Sequence, residues 1–262
     1  MRLPLELQRL STPSSRAHPA AFDRLLAPVH HWIWRNRERR VQKLLRFGET
    51  ETDGGRDLLR AAELTRDPLL RRLYLVHAVD EQRHGTLFRS RAAAMLASGA
   101  IVRQDPRGET PGAGGHGLDD LDVERESDET MLAFLHVAER SAASRFAVYR
   151  NVLRSDPATQ SIFDDILHDE MFHMNYTLAQ LVRVSPQRHR AKLWRARLTR
   201  LWNAYLRVAS ALAGVLGGAL LTVQYFAILP LFALLSKRAA AREGEGWRAV
   251  AQRGADSMRS QY

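Results

Sequence analysis

Apolar residues recur at intervals of three and four along most of the chain, the period of an amphipathic α-helix, and proline and glycine mark the breaks. Asp67-Pro68 and Asp156-Pro157 each fit the cap and first position of a helix. The Gly- and Pro-rich stretch 99–119 predicts a long crossover. The four predicted bundle helices cover about 41–64, 68–98, 121–154 and 157–184. This order predicts an all-α four-helix bundle, over 40–185, with one long connection.

The N-terminal stretch 1–39 is predicted to be an arm followed by an accessory helix. Residues 1–20 lack the apolar core of a signal peptide. From about 21 to 47, apolar residues recur among arginines, with Trp32 and Trp34 in a basic setting. Two interpretations follow: a helix packed on the bundle, or a helix lying on a membrane surface.

The longest apolar run, 208–236, contains no charged residue. It exceeds the roughly 20 residues that span a bilayer core. A basic juxtamembrane helix, 186–207, is predicted before it and a basic polar tail, 237–262, after it. We predict a transmembrane or membrane-inserted helix, kinked at Pro230. A helix buried against the bundle and a re-entrant segment are the alternatives.

Composition and charge restrict the kinds of site and partner that the chain can have. The 262 residues include no cysteine, which excludes disulfides, zinc–thiolate sites and cysteine nucleophiles. The formal net charge is +10, and many of the basic residues flank the apolar run. This placement favours a membrane surface over nucleic acid as the partner. We expect a membrane protein whose bundle lies on the cytoplasmic side.

A repeated motif indicates metal chemistry. Asp80–His84 and Asp169–His173 both read Asp-Glu-x-x-His. Glu and His three residues apart lie on one face of a helix, so they can hold one cation together. Di-iron and di-manganese bundles use two such helices and one further Glu from each of the other two helices.

Two glutamates interrupt the inward apolar stripes of the first and third helices. Glu51 shares its face with apolar residues, which favours it over Glu49 and Glu63, and Glu139 interrupts a similar stripe. Burying four carboxylates without cations costs several kcal/mol each. The predicted metal ligands are Glu51, Glu81, His84, Glu139, Glu170 and His173.

Two aspartates precede the ligand glutamates. A metal-bound imidazole usually donates its second N–H to a carboxylate or carbonyl. We therefore expect Asp80 to support His173 across the bundle and Asp169 to support His84. The alternative is that both aspartates are solvated helix acids.

Other polar and small residues lie near the predicted site. His77 and His136 are interpreted as hydrogen-bonded core residues, with extra ligands or proton relays as the alternative. Tyr176, like Tyr149, is interpreted as a packing residue. Gly54, Gly55 and Gly85 are expected to open a substrate pocket, and a loosened helix is the alternative for Gly54 and Gly55.

Residues 40–184 resemble the ferritin-like di-iron carboxylate superfamily, and the Asp-Glu-x-x-His form resembles its oxygen-activating branch. The resemblance implies two Fe ions, with Fe/Mn or di-Mn as alternatives, bridged by Glu81 and Glu170. Phe88 stands where reductase subunits of the superfamily carry a radical tyrosine, and the absence of cysteine excludes a rubredoxin domain.

The resemblance and the apolar run together imply a membrane-associated, O2-dependent di-iron oxidoreductase. It would be a hydroxylase, monooxygenase or desaturase acting on a hydrophobic or lipidic substrate. Electrons would come from a separate donor protein, and a homodimer would form through the bundle or through Gly214 and Gly218. The alternatives are a membrane-tethered ferroxidase or iron-handling protein, and a metal-free helical adaptor.

Overall fold

The computed structural model describes residues 19–99 and 121–242. Within these ranges the chain is helical and contains no strand, which confirms the predicted all-α class. The contacts divide the chain into two compact units, Met1–Asn203 and Ala204–Tyr262. The α-helices are α1 Ala21–Leu25, α2 Ala27–Arg35, α3 Arg37–Leu64, α4 Pro68–Ala97, α5 Asp128–Val152, α6 Pro157–Val184, α7 His189–Val223 and α8 Leu229–Ala240.

The N-terminal helical stretch is interrupted twice, where the sequence predicted one helix from 21 to 47. Pro28 lies in the first turn of α2 and has no N–H to donate to the preceding turn, so the helix restarts after Leu26. Asn36 is extended and its side chain accepts a hydrogen bond from Arg39 N at 2.9 Å. This cap begins α3 before residue 41.

Helices α3 and α4 form an antiparallel hairpin. Arg89 donates to the carbonyl of Gly48 at 2.8 Å, and Gln82 donates to the carbonyl of Thr52 at 2.9 Å. Asp67 caps α4 by accepting from the backbone N–H groups at the start of that helix. The predicted cap therefore begins the second helix of the hairpin.

Helices α5 and α6 form a second hairpin. Helix α5 begins at Asp128 rather than near residue 121, because backbone N–H groups at the end of a turn donate to the carbonyl of Asp122. Ser127 then caps the helix. Asp156 caps α6 as predicted, accepting from Thr159 N at 3.2 Å. The predicted crossover lies almost entirely outside the described residues.

The capping aspartate of each hairpin also contacts an arginine of the other hairpin. Asp156 accepts from Arg40 and Arg91, each at 2.7 Å. Asp67 forms the equivalent ion pair with Arg183. The two halves of the repeat are therefore tied together at both of their tight turns.

Two apolar clusters fill the interior of the first unit, and each receives residues from all four long helices of the two hairpins, α3 to α6. The first cluster includes Leu58, Leu73, Leu132 and Tyr176. The second is aromatic and includes Trp34, Phe88, Phe146 and Phe163. Along α4, the stretch from Glu81 to His84 lies between the residues that enter the first cluster and those that enter the second. A polar layer thus crosses an otherwise apolar core.

The second unit continues α7 and contains α8. A π-helical turn, Gln224–Ile228, separates them just before Pro230, which has no N–H for the α-helical ladder. By length and composition, the stretch His189–Ala240 qualifies as one membrane span, and none of its most apolar window is buried. Gly214 and Gly218 face open space.

Candidate metal centre

The polar layer brings together seven buried or partly buried donors from the four long helices. Two groups have ligand atoms that all lie within 4.8 Å of one another and can each hold a metal ion. Glu81 belongs to both groups, so its carboxylate lies between two candidate cation positions. The first group is His77, Glu81, Glu139 and His173, and the second is Glu51, Glu81 and His84.

His84 is oriented by an aspartate of the opposite hairpin. Its Nε2 lies 2.9 Å from Asp169 Oδ2, which also contacts Arg83. A carboxylate accepts the Nε2–H, so the Nδ1 of a neutral imidazole keeps its lone pair. That Nδ1 is buried, has no hydrogen-bond partner among the described residues, and lies 3.8 Å from Glu81 Oε1.

His173 has the matching arrangement. Its Nε2 lies 3.2 Å from Asp80 Oδ2, and its buried Nδ1 has no hydrogen-bond partner in the described part of the chain. This Nδ1 lies 3.7 Å from the same Glu81 oxygen. Both predicted aspartate–histidine contacts are therefore present, and two imidazole lone pairs point at one carboxylate.

Glu170 lies beside Glu139 in the layer. Its Oε2 is buried without a hydrogen-bond partner within the described ranges. Burial raises the pKa of Glu170 well above its usual range, and the negative charge of Glu139 raises it further. Glu170 is outside the two compact groups, but the structure brings it to the same layer as the other five predicted ligands.

Glu51 and Glu81, like Glu170, hold protons more tightly than ordinary carboxyl groups. Burial raises the pKa of Glu81 to about 8. Burial also raises the pKa of Glu51, and its neighbour Glu81 adds to the shift. Burial lowers the pKa of His173 well below its usual range, with further lowering by His77 and His84. A divalent cation replaces such protons and restores the charge balance.

His77 is a further donor in the layer. Tyr176 Oη lies 2.7 Å from His77 Nδ1, and His77 Nε2 lies 3.1 Å from Glu81 Oε1. The ring also stacks on His173 with centroids 3.6 Å apart. The predicted hydrogen bonds are present, and the same position places Nε2 among the donors of the first group. The sequence signal was its place one turn before Glu81 on the same face.

Two glycines bring α3 and α4 into close contact beside the layer. A Cβ on Gly85 would lie 2.9 Å from the carbonyl oxygen of Gly48, and one on Gly55 would lie 3.2 Å from that of Ala78. The expectation that they open a pocket is wrong, because neighbouring atoms fill the space. Gly54 has nothing within 4 Å of a Cβ.

A cleft of about 700 Å³ runs along α5 and α6 next to the layer. Its lining includes His136 and Ala143, which lie one turn before and one turn after Glu139. Met174 and Phe22 contribute apolar surface. His136 Nδ1 donates to the carbonyl of Met174 at 3.1 Å, so the predicted hydrogen-bonded role is confirmed.

The remaining sequence candidates have packing or surface positions. Tyr149 is buried in the aromatic cluster, 5.1 Å from Trp34 between ring centroids, which confirms its packing role. Phe88 is fully buried in the same cluster. Glu63 forms a surface ion pair with Arg60.

The fold and the layer define a helical protein with buried histidine and glutamate groups that can hold metal ions. Comparison of the chain with models of known protein families, with curated proteins and with solved structures found no match.

Proposed function

We propose that the first unit is a ferritin-like four-helix bundle and that the chain is a membrane-anchored, O2-dependent di-iron oxidoreductase. One observation carries the proposal. The buried Nδ1 atoms of His84 and His173 lack hydrogen-bond partners among the described residues and flank one oxygen of Glu81. An apolar interior tolerates such unpaired atoms poorly unless they bind something.

The donor set fits iron. Imidazole and carboxylate ligands suit Fe(II), and two ferrous ions held in such a set would supply the redox chemistry for O2 activation. Glu81 would be shared by the two positions, His84 and Glu51 would hold one ion, and His173 and Glu139 would hold the other. Glu170 would supply the fourth carboxylate, so that four negative charges balance two divalent cations.

The surroundings of the layer support oxidative chemistry on an organic molecule. Apolar clusters lie on both sides of the layer, so bulk water is excluded from it. Asp80 and Asp169 hold the protons on the two ligand histidines and keep their Nδ1 lone pairs directed inward. These residues fix the donors before any cation arrives, which lowers the reorganisation cost of binding.

The cleft supports a hydrophobic or amphipathic substrate rather than free Fe(II) as the substrate. Its only carboxylate among the lining residues, Asp23, is engaged by Ser144. Arg140 lines it too, and its positive charge repels Fe(II). A cleft of about 700 Å³ has the size of a small-molecule site.

The long apolar helix supports a membrane location. Basic residues from 188 to 207 precede the apolar run, and Lys237 and Arg238 follow its last apolar turn. The proposal places the bundle on the cytoplasmic side. A separate donor protein delivers the electrons, because the sequence offers no motif for a flavin or nicotinamide.

Metal analysis tests the proposal directly. The full chain is purified in detergent, loaded anaerobically with Fe(II), and exposed to O2 while its absorbance is followed. We expect about two irons per chain, as in other carboxylate-bridged bundles, and an O2-dependent absorbance change. Glu81→Gln removes the shared carboxylate and should abolish both. Glu63→Gln is the matched control, because that glutamate is exposed on α3.

No tightly bound iron in a folded parent chain would refute the di-iron site. Iron that is oxidised without limit and released or mineralised, with no consumption of lipid-soluble compounds, would favour the iron-handling alternative. Equal iron content in the Glu81→Gln and Glu63→Gln variants would also contradict the assignment of Glu81.

A further inference from the structure

The N-terminal helices present a continuous apolar stripe that the first unit does not cover. Phe22 and Leu25 lie three residues apart on α1, and Val29 and Trp32 lie three residues apart on α2, so each pair shares a face of its helix. Their exposed fractions are 67%, 74%, 51% and 61%. Four large apolar side chains in one exposed row mark an interaction surface.

The opposite face of the same helices is fixed on the bundle. Trp34 is 1% exposed, and its ring packs on Tyr149 and Phe163. His30 also packs on Tyr149, with centroids 5.0 Å apart. The stripe is therefore held outward by a rigid contact with the core.

The charges on the exposed face of α1 and α2 are of one sign. Arg24 and Arg35 are exposed beside the stripe. Arg39 lies over the Trp32 ring, 3.6 Å from its centroid. The only carboxylate within α1 and α2, Asp23, is partly buried and contacts Ser144. An apolar row with cations and no exposed acid complements a bilayer surface that contains anionic lipids.

We propose that α1 and α2 lie in the interfacial region of a lipid bilayer, with the row from Phe22 to Trp32 immersed and the flanking arginines at the headgroups. The same chain carries a helix long enough to cross a membrane, so a bilayer is at high local concentration. Phe22 also lines the cleft along α5 and α6. A bilayer on this face therefore meets the cleft at its edge, where a lipid-soluble molecule can enter.

The absence of cysteine allows a direct test in the full chain. Val29→Cys places one thiol in the stripe, and Val79→Cys is the matched control, since Val79 is equally apolar and 67% exposed on α4. Each variant is labelled with an environment-sensitive fluorophore and placed in nanodiscs. Half of the samples contain lipids brominated in the acyl chain.

We expect brominated lipids to quench the label at position 29 at least about threefold more than the label at position 79, because an interfacial helix buries its apolar face below the headgroups. Anionic lipid should increase the quenching at position 29. Arg24→Glu and Arg35→Glu in the Val29→Cys background should remove that increase.

Equal quenching at both positions, or none at position 29, would overturn the proposal. The label at position 29 could instead be shielded from water but not quenched by bromine, and become exposed when each nanodisc holds one chain. That result would show that the stripe binds a second copy of the chain. Metal content is measured in the same samples. No quenching at position 29 in a chain that binds iron would refute only the docking of α1 and α2. Quenching in a chain that binds no iron would refute only the di-iron proposal.

Discussion

The contact between Asp169 and His84 can be tested by a substitution that preserves shape and removes charge. Asparagine at position 169 keeps an oxygen that can accept from His84 Nε2, now 2.9 Å away, but it loses the negative charge. Carboxylates that support ligand histidines typically change metal affinity by about 10–100-fold. This range corresponds to about 1.4–2.7 kcal/mol of binding free energy.

The two aspartate–histidine distances also predict which aspartate affects metal binding more. Asp169 lies closer to its histidine than Asp80 does, at 2.9 Å against 3.2 Å. We therefore expect Asp169→Asn to weaken metal binding towards the upper end of that range and Asp80→Asn towards the lower end. Asp165→Asn, an exposed change one turn before Asp169 on α6, is the control for loss of charge alone.

The assay is an anaerobic titration of Fe(II), or of Co(II) as its spectroscopic substitute, against a coloured chelator. Circular dichroism confirms that each variant keeps its helices. Affinities of Asp169→Asn and Asp80→Asn that equal those of the parent and Asp165→Asn would refute the supporting role. Both aspartates would then be helix acids that happen to contact the histidines.

Three further measurements follow from the same structure. Gly85→Ala should destabilise the chain by about 1–3 kcal/mol in chemical denaturation, because a Cβ would meet a carbonyl of α3, whereas Gly54→Ala should be neutral or slightly stabilising. Asp156→Asn should destabilise by about 1–3 kcal/mol, because the variant weakens a cap and leaves Arg40 and Arg91 without a charged partner. Burial opposes the shift, but hydrogen bonds with Thr159 and Arg91 outweigh it and lower the pKa of Asp156. The difference in the free energy of unfolding between the variant and the parent should therefore be complete above the ordinary aspartate pKa of about 3.9. It should disappear as the pH falls through the lowered pKa of Asp156. Removal of metal should lower the melting temperature, since metal at about 100 times its dissociation constant stabilises by about 2.7 kcal/mol; equal melting curves would contradict a metal that binds only the folded chain.

Helical periodicity explains why so much of the layer could be predicted. Glu51, Glu81, Glu139 and Glu170 interrupt apolar stripes on four helices, and a repeated cap gives both hairpins the same phase. Residues three apart on one helix must share a face. The motif and the caps are therefore local features that a sequence shows directly.

The features that were missed depend on contacts between helices. The spacing of His77 before Glu81 placed it near the layer, but the stacking of its ring on His173 of the other hairpin has no signal along α4. Gly55 and Gly85 were predicted to open space, yet they mark where two backbones approach closely. The break at Leu26 was not predicted, because the apolar pattern continues across it and only Pro28 marks the new helix start.

Because of the repeat, several polar side chains of each hairpin find their partners on the other hairpin. Asp67 and Asp156 each cap one hairpin and contact an arginine of the opposite one. Asp80 and Asp169 make the corresponding contacts in the polar layer, since each orients a histidine that belongs to the other hairpin. A single hairpin would leave these histidines without their carboxylate acceptors. The assembled layer supplies the acceptors but still leaves the inward Nδ1 atoms of His84 and His173 unpaired among the described residues. Those atoms and the raised carboxyl pKa values are the part of the arrangement that protein contacts alone do not satisfy, and metal binding at the layer would satisfy both.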